Sequence, residues 1–250
     1  MGPRGVCRLQ CSLHALIMAL NGRSIACIIP MLNEERSIGL VIDEIPPCVD
    51  VIICVDNGST DASAAIAQDR GAVVFSESER GYGASCLRGM QECPQHDVVC
   101  FIDGDYSDYP EDLLLVLEPV CNESHDMCIG SRVTGVREKG ALLPQAVFGN
   151  WLSTFLIQLF WGVRFTDLGP MRAISRSALE TLHMEDRNFG WTVEMQIKAA
   201  ALRMRCCEVS VRYRKRIGTS KISGTIRGSI RAGIKILSTI ARYRTTRWQR

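Results

Sequence analysis

The first half of the chain alternates between short apolar runs and longer helix-like stretches. Strands that are apolar along their whole length are typical of a mostly parallel sheet that helices cover on both faces, so we predict an α/β fold. Ligands of such sheets bind at the carboxyl ends of the strands, which is where functional side chains are expected. The predicted strands are 25–29, 51–55, 72–75, 98–102 and 127–129, and the helices between them are 34–45, 61–70, 84–92 and 110–120.

The second half of the chain follows a looser pattern and ends in a basic helix. A helix over 144–163, a strand near 171–174, a helix over 192–202 and a strand over 206–213 precede a final helix over 225–244. The 250 residues suit one α/β domain of ordinary size or two small ones. We predict an N-terminal extension over 1–23, a main domain over 24–224 and a C-terminal amphipathic helix over 225–250. No uninterrupted apolar stretch of about 20 residues occurs, so a simple spanning helix is not expected.

The twelve cysteines are placed as small hydrophobes and not as a disulfide framework. Cys27, Cys54, Cys100 and Cys128 each lie in a predicted apolar strand, and no C-x-x-C pair occurs. The adjacent pair at 206–207 lacks the spacing of zinc ligands. A reducing, cytoplasmic location is therefore expected.

Positive charge is concentrated at the end of the chain. The net charge is only +2, but residues 203–250 contain 14 Lys and Arg against one acid, Glu208. Such a segment should bind phosphates, whether of a nucleotide, a lipid headgroup or a nucleic acid. The last helix also has an apolar face that includes Ile234 and Leu237, so it can lie on an anionic membrane or pack on the domain. The aromatic helix 144–163 favours membrane contact.

Polar residues follow the first two predicted strands at their carboxyl ends. The first cluster contains Pro30, Leu32, Asn33 and Glu34, and the second begins at Asp56. An acidic side chain at this edge can accept hydrogen bonds from ribose hydroxyls or base N–H groups. The alternative is turn chemistry, because an Asn-Gly pair and a helix cap follow immediately.

Two carboxylates, Asp103 and Asp105, flank Gly104 directly after the fourth predicted strand. Carboxylates this close repel each other unless a cation or donor groups offset their charge. Mg²⁺ usually binds one or two carboxylates together with substrate phosphates, and Gly104 would let a ligand approach the backbone. A solvated acidic loop that caps the helix at 110–120 is the alternative.

These motifs, in this order and spacing, resemble family 2 glycosyltransferases with the GT-A fold. The subgroup resembled is that of dolichyl-phosphate mannose synthase and the polyprenyl-phosphate glycosyltransferases. The likeness runs from about residue 24 to 244. It rests on Pro30-x-Leu32-Asn33-Glu34-Glu35, on Val55 to Asp61, on Asp103-x-Asp105, on Arg80 to Ala84, on Gly130-Ser131-Arg132, on Asp167 to Arg172, on Trp191 to Glu194 and on Ser220 to Thr225.

The resemblance implies a GT-A catalytic domain over 24–224 that moves a hexose from a nucleoside diphosphate sugar, with inversion, to an acceptor such as polyprenyl or dolichyl phosphate. It implies Mg²⁺ or Mn²⁺ on Asp105 and Asp103. The expected nucleotide-sugar residues are Pro30, Leu32, Asn33, Glu34, Asp56, Gly83, Asp103 and Gly104, the acceptor or phosphate residues are Arg132, Arg172, Arg214 and Lys221, and the catalytic residues are Asp103, Asp105 and Glu194. Asn57 and Asp108 depart from the usual pattern of the family.

The role of Glu194 depends on the acceptor. A hydroxyl acceptor needs a base to remove its proton, whereas a phosphate acceptor does not, and Glu194 would then only orient groups. The loop 80–84 lacks both the complete Rossmann glycine pattern and a Walker A sequence, so it is either a donor-phosphate loop or a plain turn.

Two other classes of function remain at this point. One is a nucleotidyltransferase on a similar sheet, and the other is a non-enzymatic protein that binds an anionic membrane or nucleic acid. Closely spaced acidic motifs would repel nucleic acid, so no nucleic-acid partner is expected. We predict an enzyme at the cytoplasmic face of a membrane, with a lipid-phosphate acceptor and a possible membrane-embedded partner subunit.

Overall fold

A computed structural model describes residues 20–218 and 226–245, including all of their side chains except those of 226–230. A single seven-stranded sheet runs in the order β3-β2-β1-β4-β6-β5-β7. All strand pairs are parallel except those that β6 makes with β4 and with β5. The strands are β1 (Ile25–Met31), β2 (Val51–Asp56), β3 (Val73–Ser76), β4 (Val98–Phe101), β5 (Met127–Ser131), β6 (Arg172–Ser175) and β7 (Cys206–Ser210).

Helices cover both faces of this sheet because each strand sends alternate side chains to opposite sides. On β1, Ala26 and Ile28 join one core cluster, while Cys27 and Ile29 join the other. The mostly parallel α/β architecture predicted from the sequence is confirmed. The helices are α1 (Ile38–Glu44), α2 (Ser63–Asp69), α3 (Tyr82–Gln91), α4 (Leu113–Cys121), α5 (Pro144–Trp161), α6 (Arg176–Leu182), α7 (Trp191–Ala201) and α8 (Ile226–Thr245).

Three elements differ from the sequence prediction. Helix α1 begins at Ile38 and not at residue 34, because residues 32–36 form a loop at the carboxyl end of β1. Helix α6 was not predicted; the Ser175 hydroxyl caps it by accepting a hydrogen bond from the Ala178 N–H at 3.4 Å. The last strand ends at Ser210, since residues 211–217 leave the sheet and pack on the loop after β4.

The C-terminal helix α8 is part of the main core. It packs against α5 and α7, and its Ile240 and Tyr243 are buried in the cluster that contains Trp191. At the other end, Leu20 lies in the predicted N-terminal extension and is buried in the opposite core cluster. None of the helices in the described ranges combines the length and the apolar character needed to cross a membrane. The ten described cysteines are all free thiols.

Candidate active site

A cavity of about 280 Å³ lies at the carboxyl ends of β1, β2 and β4, where the fold class places its ligands. We call it the donor cavity, after the nucleotide-sugar donor that the sequence predicts for this edge of the sheet. Five of the predicted nucleotide-sugar residues line it: Pro30, Leu32, Glu34, Asp103 and Gly104. The remaining lining residues are Met31, Asn57, Arg80, Gly81, Tyr82, Ser85, Asp105, Asn188, Phe189 and Arg216.

The loop after β1 is fixed to the start of α2 by hydrogen bonds that involve backbone groups. Asn33 has a left-handed backbone with φ of 54°, and its side-chain oxygen accepts a hydrogen bond from the Thr60 N–H at 2.8 Å. The Glu34 N–H donates to the Ser63 hydroxyl at 2.7 Å. Asn33 is therefore an exposed connector of two loops, and it does not line the donor cavity, whereas Leu32 and Glu34 do.

The motif after β2 contains two neighbouring residues with different roles. The buried Asp56 carboxylate accepts a hydrogen bond from the Ser59 N–H at 3.1 Å, which is turn chemistry, and it does not line the donor cavity. Asn57 does line it. The Asn57 amide donates to the Glu77 and Glu79 carbonyls at 3.0 and 2.7 Å and accepts from the Gly81 N–H at 2.8 Å. An aspartate could not donate those two bonds, which explains the departure from the family pattern.

The acidic loop after β4 brings Asp103 and Asp105 to the cavity. One carboxylate oxygen of Asp103, Oδ1, is buried with no hydrogen-bond partner among the described residues. Burial, followed by the charge of Asp105, raises the pKa of Asp103 to about 6. Asp105 accepts hydrogen bonds from the backbone N–H and the hydroxyl of Ser107 at 2.9 and 2.5 Å, and the Arg216 guanidinium pairs with it at 2.7 Å.

A third carboxylate, Asp108, is buried behind this loop, and neither of its oxygens has a partner among the described residues. Burial, followed by the charge of Asp103, raises its pKa well above the ordinary value. No group of three or more His, Cys, Asp or Glu side chains in the described ranges has the arrangement of a metal site. The unpartnered oxygen of Asp103 beside Asp105 suits a hard divalent cation that takes its other ligands from substrate phosphates.

Arg214 holds the acidic loop from behind and does not line the donor cavity. Its Nε donates to the Tyr106 carbonyl at 2.8 Å, its backbone N–H donates to the Ser107 carbonyl at 2.9 Å, and its guanidinium stacks on the rings of Tyr106 and Tyr109. Tyr106 has a left-handed backbone with φ of 62°, so the loop needs such support. Arg214, which was predicted to bind a phosphate, is thus placed where it supports the acidic loop that carries Asp103 and Asp105.

Arg172 is fully buried in the core. Its guanidinium donates to the Thr192 carbonyl at 3.2 Å and to the Leu168 and Gly169 carbonyls, and it lies 5.6 Å from the centre of the Trp191 ring. Burial lowers its pKa to about 10. Since it reaches no described cavity, the structure does not support the prediction that Arg172 binds an acceptor phosphate. Lys221, also predicted for this role, lies outside the described residues.

Glu194 lies in the core beneath the donor cavity and not at its surface. Its carboxylate pairs with Lys198 at 2.9 Å and accepts hydrogen bonds from the Tyr243 hydroxyl at 2.6 Å and the Asp186 N–H at 2.7 Å. A fully buried carboxylate with these partners is not placed to remove a proton from an acceptor. The structure therefore does not support the prediction of Glu194 as a base.

Gly83 does not line the donor cavity, and its position leaves no room for a side chain. A Cβ at Gly83 would lie 2.0 Å from the Asp186 carbonyl oxygen, and one at Gly81 would lie 2.0 Å from that of Arg187. The start of α3 and the segment 183–190 therefore meet backbone to backbone beside the cavity. Asn188 and Phe189, from that segment, were missed because no sequence pattern marks a loop that reaches a site through tertiary contact.

Arg132 belongs to a second and a third cavity. Its guanidinium pairs with the buried Asp167 through two bonds of 2.8 and 2.7 Å. A cavity of about 360 Å³ adjoins the donor cavity because both are lined by Arg216. Its charged lining residues, Arg132, Lys215 and Arg216, are all basic and most of the others are apolar, so we call it the basic cavity. An apolar groove of about 540 Å³ between α5 and α8 adjoins the basic cavity because both are lined by Arg132.

Comparison with known proteins identifies the class of enzyme to which this fold and site belong. The model of glycosyl transferase family 2 matches residues 26–182. An uncharacterised glycosyltransferase of Mycobacterium tuberculosis is 33% identical over 212 residues, which are 84% of this chain and 94% of that protein. A dolichyl-phosphate hexose transferase of Haloferax volcanii is 30% identical over 202 residues, 79% of this chain and 86% of that protein. The chain belongs to glycosyl transferase family 2 and is a glycosyltransferase.

A solved structure agrees with the fold. Glucosyl-3-phosphoglycerate synthase of Mycobacterium tuberculosis, in complex with Mn²⁺, UDP-glucose and phosphoglyceric acid, superposes with a TM-score of 0.71 at 23% identity, over 92% of this chain and 84% of that one. At this identity the likeness concerns the GT-A fold.

Proposed function

We propose that this glycosyltransferase moves a hexose from a nucleoside diphosphate sugar to a phosphate carried on a long apolar chain, of the polyprenyl or dolichyl phosphate kind, with inversion at the sugar. The observation that carries the proposal is the order of the three cavities. An acidic donor cavity is followed by a basic cavity and then by an apolar groove, with Arg216 and Arg132 at the two junctions.

On the donor side, Asp105 and Asp103 would hold Mg²⁺ or Mn²⁺ against the diphosphate. The cation would supply charge stabilisation for the departing diphosphate. Arg216 would add positive charge at the same place. Although burial lowers the pKa of Arg216, the charge of Asp105 raises it, so the guanidinium stays charged beside the carboxylate. The loop after β1 and the segment 183–190 would enclose the nucleoside and the sugar.

On the acceptor side, Arg132, Lys215 and Arg216 would bind the acceptor phosphate. A phosphate oxygen is already a nucleophile at neutral pH, so transfer to it requires no protein base. The burial of Glu194 is consistent with an acceptor that needs no base. The sequence similarity to a dolichyl-phosphate hexose transferase also supports a lipid-phosphate acceptor.

The apolar groove would hold the first part of the acceptor chain at a membrane surface. Helix α5 presents Phe148, Trp151, Phe155, Leu159 and Phe160 to solvent, and α8 adds the exposed Ile234 and Leu237. Aromatic residues of this kind are enriched where proteins meet the headgroup region. The exposed Arg231 and Arg244 on α8 would supply charge for anionic lipid. The cytoplasmic side of the membrane and a membrane-embedded partner subunit stay predictions.

A small soluble acceptor that is glycosylated on a hydroxyl group is the second candidate. The solved structure with a similar fold contains phosphoglyceric acid, and the basic cavity alone could hold an acceptor of that size. Such an acceptor would leave the apolar groove without a role in catalysis, which is why the lipid phosphate is preferred.

The test is release of nucleoside diphosphate from a panel of nucleotide sugars with Mg²⁺ or Mn²⁺ by the wild type and Asp105→Ala. Each reaction is run without an acceptor, with polyprenyl phosphate and with phosphoglycerate. The exposed Asp69→Ala serves as a matched control. Release that requires the metal, the lipid and Asp105 supports the proposal and identifies the donor. Release that depends on phosphoglycerate but not on the lipid supports the soluble acceptor, and no release with any donor contradicts both.

A further inference from the structure

The donor cavity has one wall that the sequence does not mark, namely segment 183–190 between α6 and α7. Asn188 and Phe189 of this segment line the cavity together with Asp103 and Asp105. The Arg187 carbonyl accepts a hydrogen bond from the Ala84 N–H at 2.9 Å, at the start of α3. Because the start of α3 lines the cavity too, a shift of the segment would move two parts of the wall together.

Two buried carboxylates fix the shape of this segment. Asp186 accepts a hydrogen bond from the Asn188 N–H at 2.8 Å, directly before the two lining residues. Glu194 accepts from the backbone N–H groups of Glu185 and Asp186 at 3.1 and 2.7 Å. Neither carboxylate lines the donor cavity, so any effect on the donor passes through the segment.

Helix α8 supplies a partner to each of these carboxylates. The Lys235 ammonium pairs with Asp186 at 2.6 Å, and the Tyr243 hydroxyl donates to Glu194 at 2.6 Å. The side chains of Asp186 and Glu194 are 4% and 0% exposed. Loss of Lys235 would remove the cation that pairs with the buried Asp186 carboxylate. Loss of the Tyr243 hydroxyl would remove one hydrogen bond of Glu194, which keeps its ion pair with Lys198. The same helix forms one side of the apolar groove, at Ile234 and Leu237.

We propose that Asp186 and Glu194 are positioning residues for the donor cavity, and that α8, through Lys235 and Tyr243, determines how tightly the donor nucleotide is held. The proposal rests on the assignment of the donor cavity under Proposed function and is independent of the identity of the acceptor. Helix α8 thereby connects the groove proposed for the acceptor with the wall of the donor cavity.

The test measures binding of nucleoside diphosphates with Mn²⁺ by titration calorimetry on the full chain, using UDP and GDP and continuing with the tighter of the two. Lys235→Met and Tyr243→Phe are compared with Ser238→Ala, an exposed change on the same helix. We expect each of the first two to weaken binding about five- to tenfold and to raise KM for the donor sugar more than they lower kcat. Lys235→Arg should restore binding, and Ser238→Ala should match the wild type.

Combining Asp186→Asn with Lys235→Met should weaken binding no further than Asp186→Asn alone, because both changes remove the same contact. Wild-type affinity in both Lys235→Met and Tyr243→Phe overturns the proposal, as does equal weakening in Lys235→Arg and Lys235→Met. Wild-type protein that binds neither nucleotide contradicts the donor-cavity assignment itself. If Asp186→Asn does not fold, the two α8 variants decide the outcome by themselves.

Discussion

The donor cavity and the apolar groove differ in how their walls are held. Around the donor cavity, polar side chains such as Asn57 and Asp186 are bonded to backbone groups of neighbouring loops. The groove is lined mostly by residues of α5 and α8, and most of these are apolar. Trp151 and Phe155 on α5 are 57% and 48% exposed and stack on each other. A small polar ligand needs hydrogen-bonding groups in fixed positions, whereas a long apolar chain needs only dry surface of adaptable shape.

The largest expected effect is on the donor side. Asp105→Asn should lower kcat/KM by about 100- to 1,000-fold, because the amide keeps the shape of the side chain but loses the charge that holds the cation. Steady-state kinetics with Mn²⁺ measures it. Chelation of the metal should inactivate the wild type to a similar level, and Asp69→Asn should have no effect. If Asp105→Asn kept more than a tenth of the wild-type activity, Asp105 would not hold a cation that catalysis needs.

A smaller loss of activity is expected when the acidic loop after β4 is disturbed but Asp103 and Asp105 are kept. Arg214→Met should lower kcat/KM about 10- to 100-fold and weaken Mn²⁺ binding. The change removes the guanidinium that stacks on the Tyr106 and Tyr109 rings and donates to the Tyr106 carbonyl. Metal titration with nucleotide present measures the affinity. Arg205→Gln, which removes an exposed pair with Asp126, is the control. Unchanged metal affinity would show that Arg214 does not support this loop.

Changes at the α5 face should weaken acceptor and membrane binding moderately and leave binding of the donor nucleotide unchanged. Trp151→Ser combined with Phe155→Ser should weaken binding to anionic vesicles and raise KM for polyprenyl phosphate about tenfold, because exposed aromatic area is lost. Nucleotide affinity should stay at the wild-type value. The control is Leu115→Ser, an exposed apolar position on α4. Equal loss of vesicle binding in that control would contradict a specific role for the α5 face.

The smallest effect concerns stability and pH in metal-free protein. The pKa of Asp103 is about 6 in the folded chain against an ordinary 3.8, so the folded state binds the extra proton between these values. Stability should therefore fall as the pH rises from about 4 through 6, and the ionised carboxylate remains unfavourable above 6. Asp103→Asn should raise the unfolding midpoint by roughly 2–5 °C at pH 8 and much less at pH 4.5.

Thermal unfolding in the presence of a chelator checks this prediction. Adding Mn²⁺ should stabilise the wild type and leave Asp103→Asn nearly unchanged, since the carboxylate is unfavourable only without a cation. Asp69→Asn should show no dependence on pH beyond that of the wild type. A midpoint of Asp103→Asn below that of the wild type at pH 8 would mean that donors on the protein already compensate the carboxylate.

The sequence located the acidic loop and the loop after β1 well, because both follow a recognisable apolar strand. Several individual residues that the sequence predicted for the site lie elsewhere in the structure. Asp56 lies in the predicted motif and caps a turn, while Asn57 beside it lines the cavity. Arg172 and Glu194 were predicted to bind a phosphate and to act as a base, yet both side chains are buried. Charge in a sequence does not distinguish a ligand-binding group from a core group with internal partners.

By itself the sequence determined the alternation of strands and helices, the edge of the sheet that carries the chemistry and the family. These are local properties, because strand periodicity and motif spacing depend on neighbours along the chain. Only the tertiary structure decided that segment 183–190 closes the donor cavity, that Arg216 reaches Asp105, and that α8 contacts Asp186. Those contacts join residues about 50 to more than 100 positions apart, and their partners are selected by packing, which no local pattern encodes.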